Sequence, residues 1–273
     1  MKILVTGATG TVGRHVVDGL HAAGIDVRAL SRNPTSARLI GGDLSDPASV
    51  QSAAEGVDAV YLMWPFFSSD AAADVVKVLA GRRIVLLSSG AVDGRIPAAE
   101  PIARLHREVE NAVVDATDEW TILRPGGFAA NALDWAASIR TEGVVRGAAP
   151  DAAGAWVHES DLATVAIRAL LEPHHVRRHY TLTGPEILTM AEQLEVIATV
   201  INRDLHWIHQ SPAEAVAQFI TAGWPPPYAE TAVAIQQQLA SVAPTITTTV
   251  ADLTGVPARP FHQWVRDNRH AFT

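Results

Sequence analysis

The run Val5-Thr6-Gly7-Ala8-Thr9-Gly10-Thr11-Val12-Gly13 places glycines at 7, 10 and 13, a G-x-x-G-x-x-G spacing. It follows an apolar strand pattern and opens a helical one, the context in which such a turn holds a dinucleotide pyrophosphate. Gly7 serves the tight turn, Gly10 the close approach of backbone to the pyrophosphate, and Gly13 the close packing of helix on strand. Thr9, Thr11 and Val12 complete the binding loop. Beyond it the helix amino terminus offers N–H groups and a partial positive charge to the phosphate. A glycine-rich turn that binds nothing is the alternative, and the strand before and helix after the turn weigh against it.

The cofactor is chosen further along. An NAD site places Asp or Glu at the end of the second strand, about 20 residues on, against the ribose 2′-hydroxyl. Here that strand ends Val27-Arg28-Ala29-Leu30-Ser31-Arg32-Asn33-Pro34, with no acid. Ser31 and Arg32 suit a 2′-phosphate, because a guanidinium makes paired, charge-assisted bonds to phosphate. The expected cofactor is therefore NADP(H) rather than NAD(H). An exposed loop arginine is the other reading of Arg32.

The elements that must position these residues are legible in outline. Apolar runs at Lys2–Val5, Asp26–Leu30, Ala59–Met63, Arg83–Leu87 and Trp120–Leu123 suit strands covered on both faces. Helical patterns lie between them, near 11–23, 47–55, 70–80 and 101–117, the second one opened by Asp46-Pro47 as N-cap and first helical residue. A very short strand and its exit loop are expected at Gly41–Leu44. Alternation of this kind predicts an α/β fold, a Rossmann-type doubly wound parallel sheet. After Pro125 the spacing predicts a helix over 128–140, a loop over 143–154, a helix from Ser160 to Leu171 and a strand over His179–Thr183. Thr189/Glu192 and Ser211/Glu214 both have capping-box spacing. The expected organisation is a nucleotide-binding core over 1–127, with 155–171 packing back onto it. Residues 128–154 and 172–273 would form a smaller C-terminal α/β lobe that binds substrate.

The 273 residues are 48% hydrophobic and 18% charged, enough apolar surface for a large core and against disorder. A net charge of −8 argues against a nucleic-acid partner. With no cysteine, disulfides, thiolate metal sites and cysteine nucleophiles are excluded. No apolar stretch approaches membrane-span length, and the first residues are too short an apolar run for a signal peptide. A cytoplasmic protein is expected, its oligomeric state left open. No metal is expected either: His174, His175 and His179 lack His-Glu-x-x-His spacing and read as a polar loop. Leu86–Gly90 lacks the first glycine of a nucleophile elbow, and no P-loop motif occurs.

The chain resembles the atypical short-chain dehydrogenase/reductase superfamily, in its NmrA-like NAD(P)-binding branch, which includes quinone reductases. The resemblance spans nearly the whole chain. It rests on Thr6–Gly10 with Gly13, Arg32-Asn33-Pro34, Gly42-Asp43-Leu44, Leu87–Gly90, Thr121–Phe128, Trp156–Ala163 and Leu182–Pro185. It implies that Asp43 and Leu44 sit beside the adenine and that Met63 and Trp64 line the ribose side. It places Ser88 near the nicotinamide, with Pro125, Gly126 and Phe128 closing that end.

One departure matters. Short-chain reductases commonly carry Tyr-x-x-x-Lys, whereas the corresponding helix here reads His106-Arg107-Glu108-Val109-Glu110, and the only tyrosines are Tyr61, Tyr180 and Tyr228. Alcohol–ketone chemistry by the usual route is thereby disfavoured. A quinone, enone or iminium-like dye accepts hydride with little help from a proton donor, so an NADPH-dependent reductase of such a small molecule is expected. His106, whose ordinary pKa suits proton exchange near neutrality, and Ser88 are the candidate catalytic residues. Phe128, Asn131, Trp135 and Trp156 are the expected walls of the acceptor pocket, flat aromatics suiting a planar acceptor, with core packing the alternative for each tryptophan. A redox-sensing regulatory protein without turnover is the second reading. An epimerase or dehydratase is the third, disfavoured by the missing pair.

Overall fold

A computed structural model describes every residue except Ala37 and the side chain of Ala98. The first half runs β1 (Lys2–Val5), α1 (Gly13–Ala22), β2 (Asp26–Ser31), β3 (Leu39–Gly41), α2 (Pro47–Ala53), β4 (Ala59–Met63), α3 (Ala72–Lys77), β5 (Arg83–Leu87), α4 (Glu100–Ala116) and β6 (Trp120–Pro125). These strands were expected almost residue for residue. Their apolar runs are bounded by turn residues and buried on both faces, so local pattern and tertiary burial agree. The Asp46 side chain accepts from the Ala48 N–H, with Pro47 in the first turn of α2. The exception is β3, which ends where the expected strand begins. Gly42 follows it, and a Cβ there would meet Leu30 and Ser49 at 2.6 and 2.9 Å. That glycine serves a close chain crossing rather than a strand.

Beyond Pro125 the chain forms α5 (Ala136–Glu142), β7 (Val144–Gly147), β8 (Ala153–Gly154), α6 (Glu159–Leu171), β9 (Arg178–Leu182), β10 (Leu188–Thr189), α7 (Met190–Ile201), β11 (His206–His209), α8 (Pro212–Thr221), α9 (Pro226–Leu239), α10 (Thr249–Thr254) and α11 (Phe261–Asp267). The helix expected over 128–140 divides into a 3-10 segment over Ala129–Trp135 and α5, which ends at Gly143 in the left-handed region (φ +72°). The expected loop over 143–154 carries β7 and β8, paired with β11 and β10. Such partners lie far along the chain and leave no local signature. Helix α6 begins at Glu159, because the His158 ring accepts from the Ser160 N–H as its cap. Both capping boxes form as read, opening α7 and α8.

Seven parallel strands form one sheet in the order β3-β2-β1-β4-β5-β6-β9. Side chains alternate across it. Ile3 and Val5 join Val16 and Leu20 of α1 and Leu162 and Ala166 of α6 on one face. Leu4 joins Leu62, Val75, Leu79, Val109 and Val113 on the other, under α2, α3 and α4. The sheet is thus covered on both sides, as an all-parallel sheet requires. A third cluster, with Ile139, Val145, Ile197, Phe261, Trp264 and Phe272, joins α5, β7, α7 and α11. No helix among the described residues is long and apolar enough to cross a membrane.

Candidate functional site

The glycine turn has the shape its spacing predicts. Gly7 sits at φ +59°, a conformation that side-chain-bearing residues rarely adopt. The Gly10 N–H donates to the Gly7 carbonyl at 2.9 Å. A Cβ on Gly13 would fall 2.1 Å from that same carbonyl oxygen. Helix α1 therefore starts against the turn at a distance only glycine permits. Thr9, Thr11 and Val12 lie in this turn, and no side chain among the described residues caps α1, which leaves its amino terminus suited to an anion. Thr6 secures the cradle from below: its Oγ1 accepts from the Met63 N–H at 2.8 Å, tying the ends of β1 and β4. The turn, the uncapped helix and the missing Cβ atoms fit a dinucleotide pyrophosphate.

At the end of β2, Ser31 is half-buried and Arg32 exposed. The Ser31 carbonyl accepts from Gly42 N–H, which brings the 42–44 loop beside them. Asp43 Oδ1 accepts from the Ser45 N–H, a bond that holds its carboxyl below the ordinary carboxylate range, with Arg32 adding to the effect. Met63 lies against Gly7. Leu44 and Trp64 are buried in the core under α2 and α3, where the Trp64 Nε1–H donates to the Ser68 carbonyl. The structure thus gathers the resemblance-derived residues at the carboxyl ends of β1, β2 and β4. Leu44 and Trp64 serve the packing there.

A buried polar chain occupies the ends of β5 and β6. Ser88 Oγ donates to Glu110 Oε1 at 2.5 Å. Arg124 grips the same carboxylate, Nε to Oε1 at 3.0 Å and Nη2 to Oε2 at 2.6 Å, and its Nη1 reaches Asp93 Oδ1 at 3.1 Å. Glu110 raises the pKa of Arg124 further above its already high value. His106 lies one turn before Glu110 on α4, and burial pushes its imidazole below the usual range, with Glu110 acting the other way. Glu110, Arg124 and Asp93 were not singled out from the sequence. A charged residue at i+4 from His106 is a local signal, but its partner on β6 is not.

Beside this chain lies a cavity of about 720 Å³. Ser89, Gly90, Asp93, Pro125, Gly126 and Thr183 form its wall at the strand ends. Gly90 packs so tightly on Pro125 that a Cβ would lie 2.9 Å from the proline carbonyl. Asn131, Trp135 and Trp156 line the cavity. Trp156 is also core: its ring lies on Gly127 and Gly154, and its Nε1–H donates to the Leu188 carbonyl at 2.8 Å. Trp207, unanticipated, meets Trp135 edge-on at 5.8 Å. Asp134 joins the lining, and partial desolvation raises its carboxyl above the usual range. Ser88, His106 and Phe128 are not among the lining residues. Their neighbours Ser89 and Ile102 are, while Phe128 packs on the α1–α6 face of the sheet core.

Ligands of open α/β sheets bind outside the carboxyl ends of the strands, where the glycine turn and this cavity both lie. Residues 7–173 match the NAD(P)H-binding family. The chain is 39% identical to a (4-alkanoyl-5-oxo-2,5-dihydrofuran-3-yl)methyl phosphate reductase of Streptomyces griseus, over 99% of both chains. It is 29% identical to an NAD(P)H azoreductase of Xenophilus azovorans, again over 99% of both. The crystal structure of the Citrobacter sp. triphenylmethane reductase complexed with NADP(H) superposes with a TM-score of 0.79 and 25% identity, covering 98% of this chain and 99% of that one. With the family match spanning the cradle, five of the seven sheet strands and part of the cavity wall, this chain belongs to the NAD(P)H-binding family, as an oxidoreductase of the atypical short-chain dehydrogenase/reductase type.

Proposed function

We propose that this protein transfers hydride from NADPH to a conjugated small molecule, a quinone, enone or iminium-like dye, without a Tyr-x-x-x-Lys pair. The observation that carries this reading is the aromatic-walled cavity at the ends of β5, β6 and β9, on the same carboxyl edge of the sheet as a glycine turn whose shape suits a dinucleotide. The bound cofactor would supply a hydride from nicotinamide C4; a quinone or enone reduced by those two electrons takes one proton from water, and an iminium-like cation, neutralised by the hydride itself, takes none.

The residues support acceptors that need little acid help. Tyr61 is fully buried in the sheet core, Tyr180 bonds to the His175 ring, and Tyr228 donates to the Phe67 carbonyl. None lines the cavity. The Ser88 proton is directed to Glu110, away from an acceptor. A conjugated acceptor delocalises the incoming charge, so positioning in a dry, flat-walled site does most of the work. The Streptomyces griseus relative, named for an unsaturated oxo-furan, is consistent with this class.

Arg32, exposed just past β2 in a run, 27–34, that carries no acid, supports NADPH over NADH as the 2′-phosphate ligand. The division of labour is a nucleotide-binding core over 1–127 with 155–171, completed at its sheet edge by β9, and a lobe from the rest of 128–154 and 172–273 that shapes the acceptor side. Cofactor oxidation measured against a panel of quinones, enones and imines tests the reading. Turnover of at least one class is expected. Tight NADPH binding with no turnover of any would instead favour a redox sensor.

A further inference from the structure

The cavity has two chemically different ends. At the strand ends its wall is polar or glycine-rich, with Ser89, Asp93, Asn131 and Thr183. Away from them it runs under α8 and α9. Helix α8 presents Ala215, Gln218, Phe219 and Ala222 to it, and α9 presents Ala232, Ile235, Gln236 and Leu239. Both sets follow i, i+3, i+4, i+7, so each helix contributes one whole stripe along its axis. Helix α9 buries Ala229, Thr231 and Val233 against the protein. Its cavity stripe lies beside these and is apolar but for Gln236, and Ile235 and Leu239 on it are only half-buried. Val242 and Trp224 extend this trough at the ends of α9. Trp224 is held by Phe67 of the β4–α3 connection at 5.4 Å and by Phe219 at 5.2 Å, which ties the trough to the nucleotide-binding half. The volume is also more than a planar ring needs, since an apolar cavity of roughly 150 Å³ already takes benzene.

We infer that the α8–α9 trough binds a flexible alkyl tail on the acceptor, whose conjugated head lies at the strand ends. The substrate class is then a conjugated ring or enone carrying a linear hydrocarbon chain. This rests on the hydride-transfer reading above and adds to it the part of the substrate that sets affinity. A tail here contributes binding common to ground and transition states, so it lowers KM more than it raises kcat.

The test is a series of 2-alkyl-1,4-benzoquinones from methyl to decyl, assayed with NADPH. The ratio of kcat/KM between longer and shorter members is expected to grow about three- to fourfold per methylene until the trough is filled. That ratio should collapse toward one in Ile235→Asn, which makes the trough polar, and in Ala222→Trp, which fills it. A flat series in the wild type, or a chain-length preference untouched by both variants, overturns the tail site. If no member turns over, the reductase reading fails separately. Tryptophan fluorescence titrations with the same quinones then decide the trough: a Kd falling with chain length and rising in both variants upholds it, and a Kd independent of chain length overturns it.

Discussion

Ser88 Oγ donates to Glu110 Oε1 at 2.5 Å, and the carboxylate that receives this bond is held from its other side by Arg124. The helix position where a catalytic tyrosine–lysine pair is common thus carries His106 and a glutamate locked into an internal ion pair. Arg124 also holds Asp93, so one guanidinium joins α4, β6 and the turn that walls the cavity.

Breaking this pair from one side should be costly. The Glu110 and Arg124 side chains are 5% and 20% exposed, so Arg124→Leu strands a buried carboxylate. A loss of about 3–5 kcal/mol is expected, read by urea unfolding. The double variant Glu110→Leu/Arg124→Leu should recover much of it, because both charges are then gone. Equal losses in single and double variants would contradict the account.

How much of this was legible in the sequence depends on the range of the interaction. The cradle was, because Gly7, Gly10 and Gly13 act within one turn and glycine is demanded by φ and by contact. The strand positions were, because burial on both faces writes continuous apolar runs. The Glu110 cluster was not: Arg124 and Asp93 reach it only because α4 packs across the end of β6. Nor were β7 and β11, whose pairing joins segments with no local strand signal. Phe128 shows the limit of motif reading. Its position in the Pro-Gly-Gly-Phe run was legible, but its side chain packs on the sheet core while Asn131 and Trp135 take the cavity wall.

Gly13→Ala should impair cofactor binding more than its single methyl suggests. The added Cβ would lie 2.1 Å from the Gly7 carbonyl, so the turn or the helix must shift. Overpacking of this kind costs about 1–3 kcal/mol. The expected result is an NADPH Kd raised at least about fivefold by calorimetric titration. Gly24→Ala, where a Cβ meets nothing within 4 Å but the backbone sits at φ +71°, should lower stability while leaving cofactor affinity unaffected.

Arg32→Ala should discriminate between the two nicotinamide cofactors. A charge-assisted bond to the 2′-phosphate contributes about 1.5–3 kcal/mol, so NADPH affinity should fall at least about tenfold while NADH affinity stays constant. Parallel titrations with both cofactors check this. Equal affinities for NADPH and NADH, unchanged by the substitution, would remove Arg32 from the site.

Stability should decline as pH falls below about 6.5. Burial is the leading cause that depresses His15, His106, His175 and His179. A histidine with a depressed folded pKa takes up a proton on unfolding in the interval below its unfolded value of 6.5. Its contribution is fully present above that value and is lost as pH falls through the folded pKa. Urea midpoints at pH 7.5 should therefore exceed those at pH 5.5, and His106→Phe should reduce the difference.

The central claim is direct hydride delivery to a conjugated acceptor at the ends of β5 and β6. Turnover of an α,β-unsaturated enone with NADPH deuterated at nicotinamide C4, followed by mass spectrometry and NMR of the product, tests it most directly. The account predicts one deuterium per product molecule at the β-carbon, from one face of the nicotinamide, with the α-proton drawn from water. Cofactor bound tightly, yet no deuterium reaching any enone or imine and no NADPH oxidised by any quinone, would contradict it.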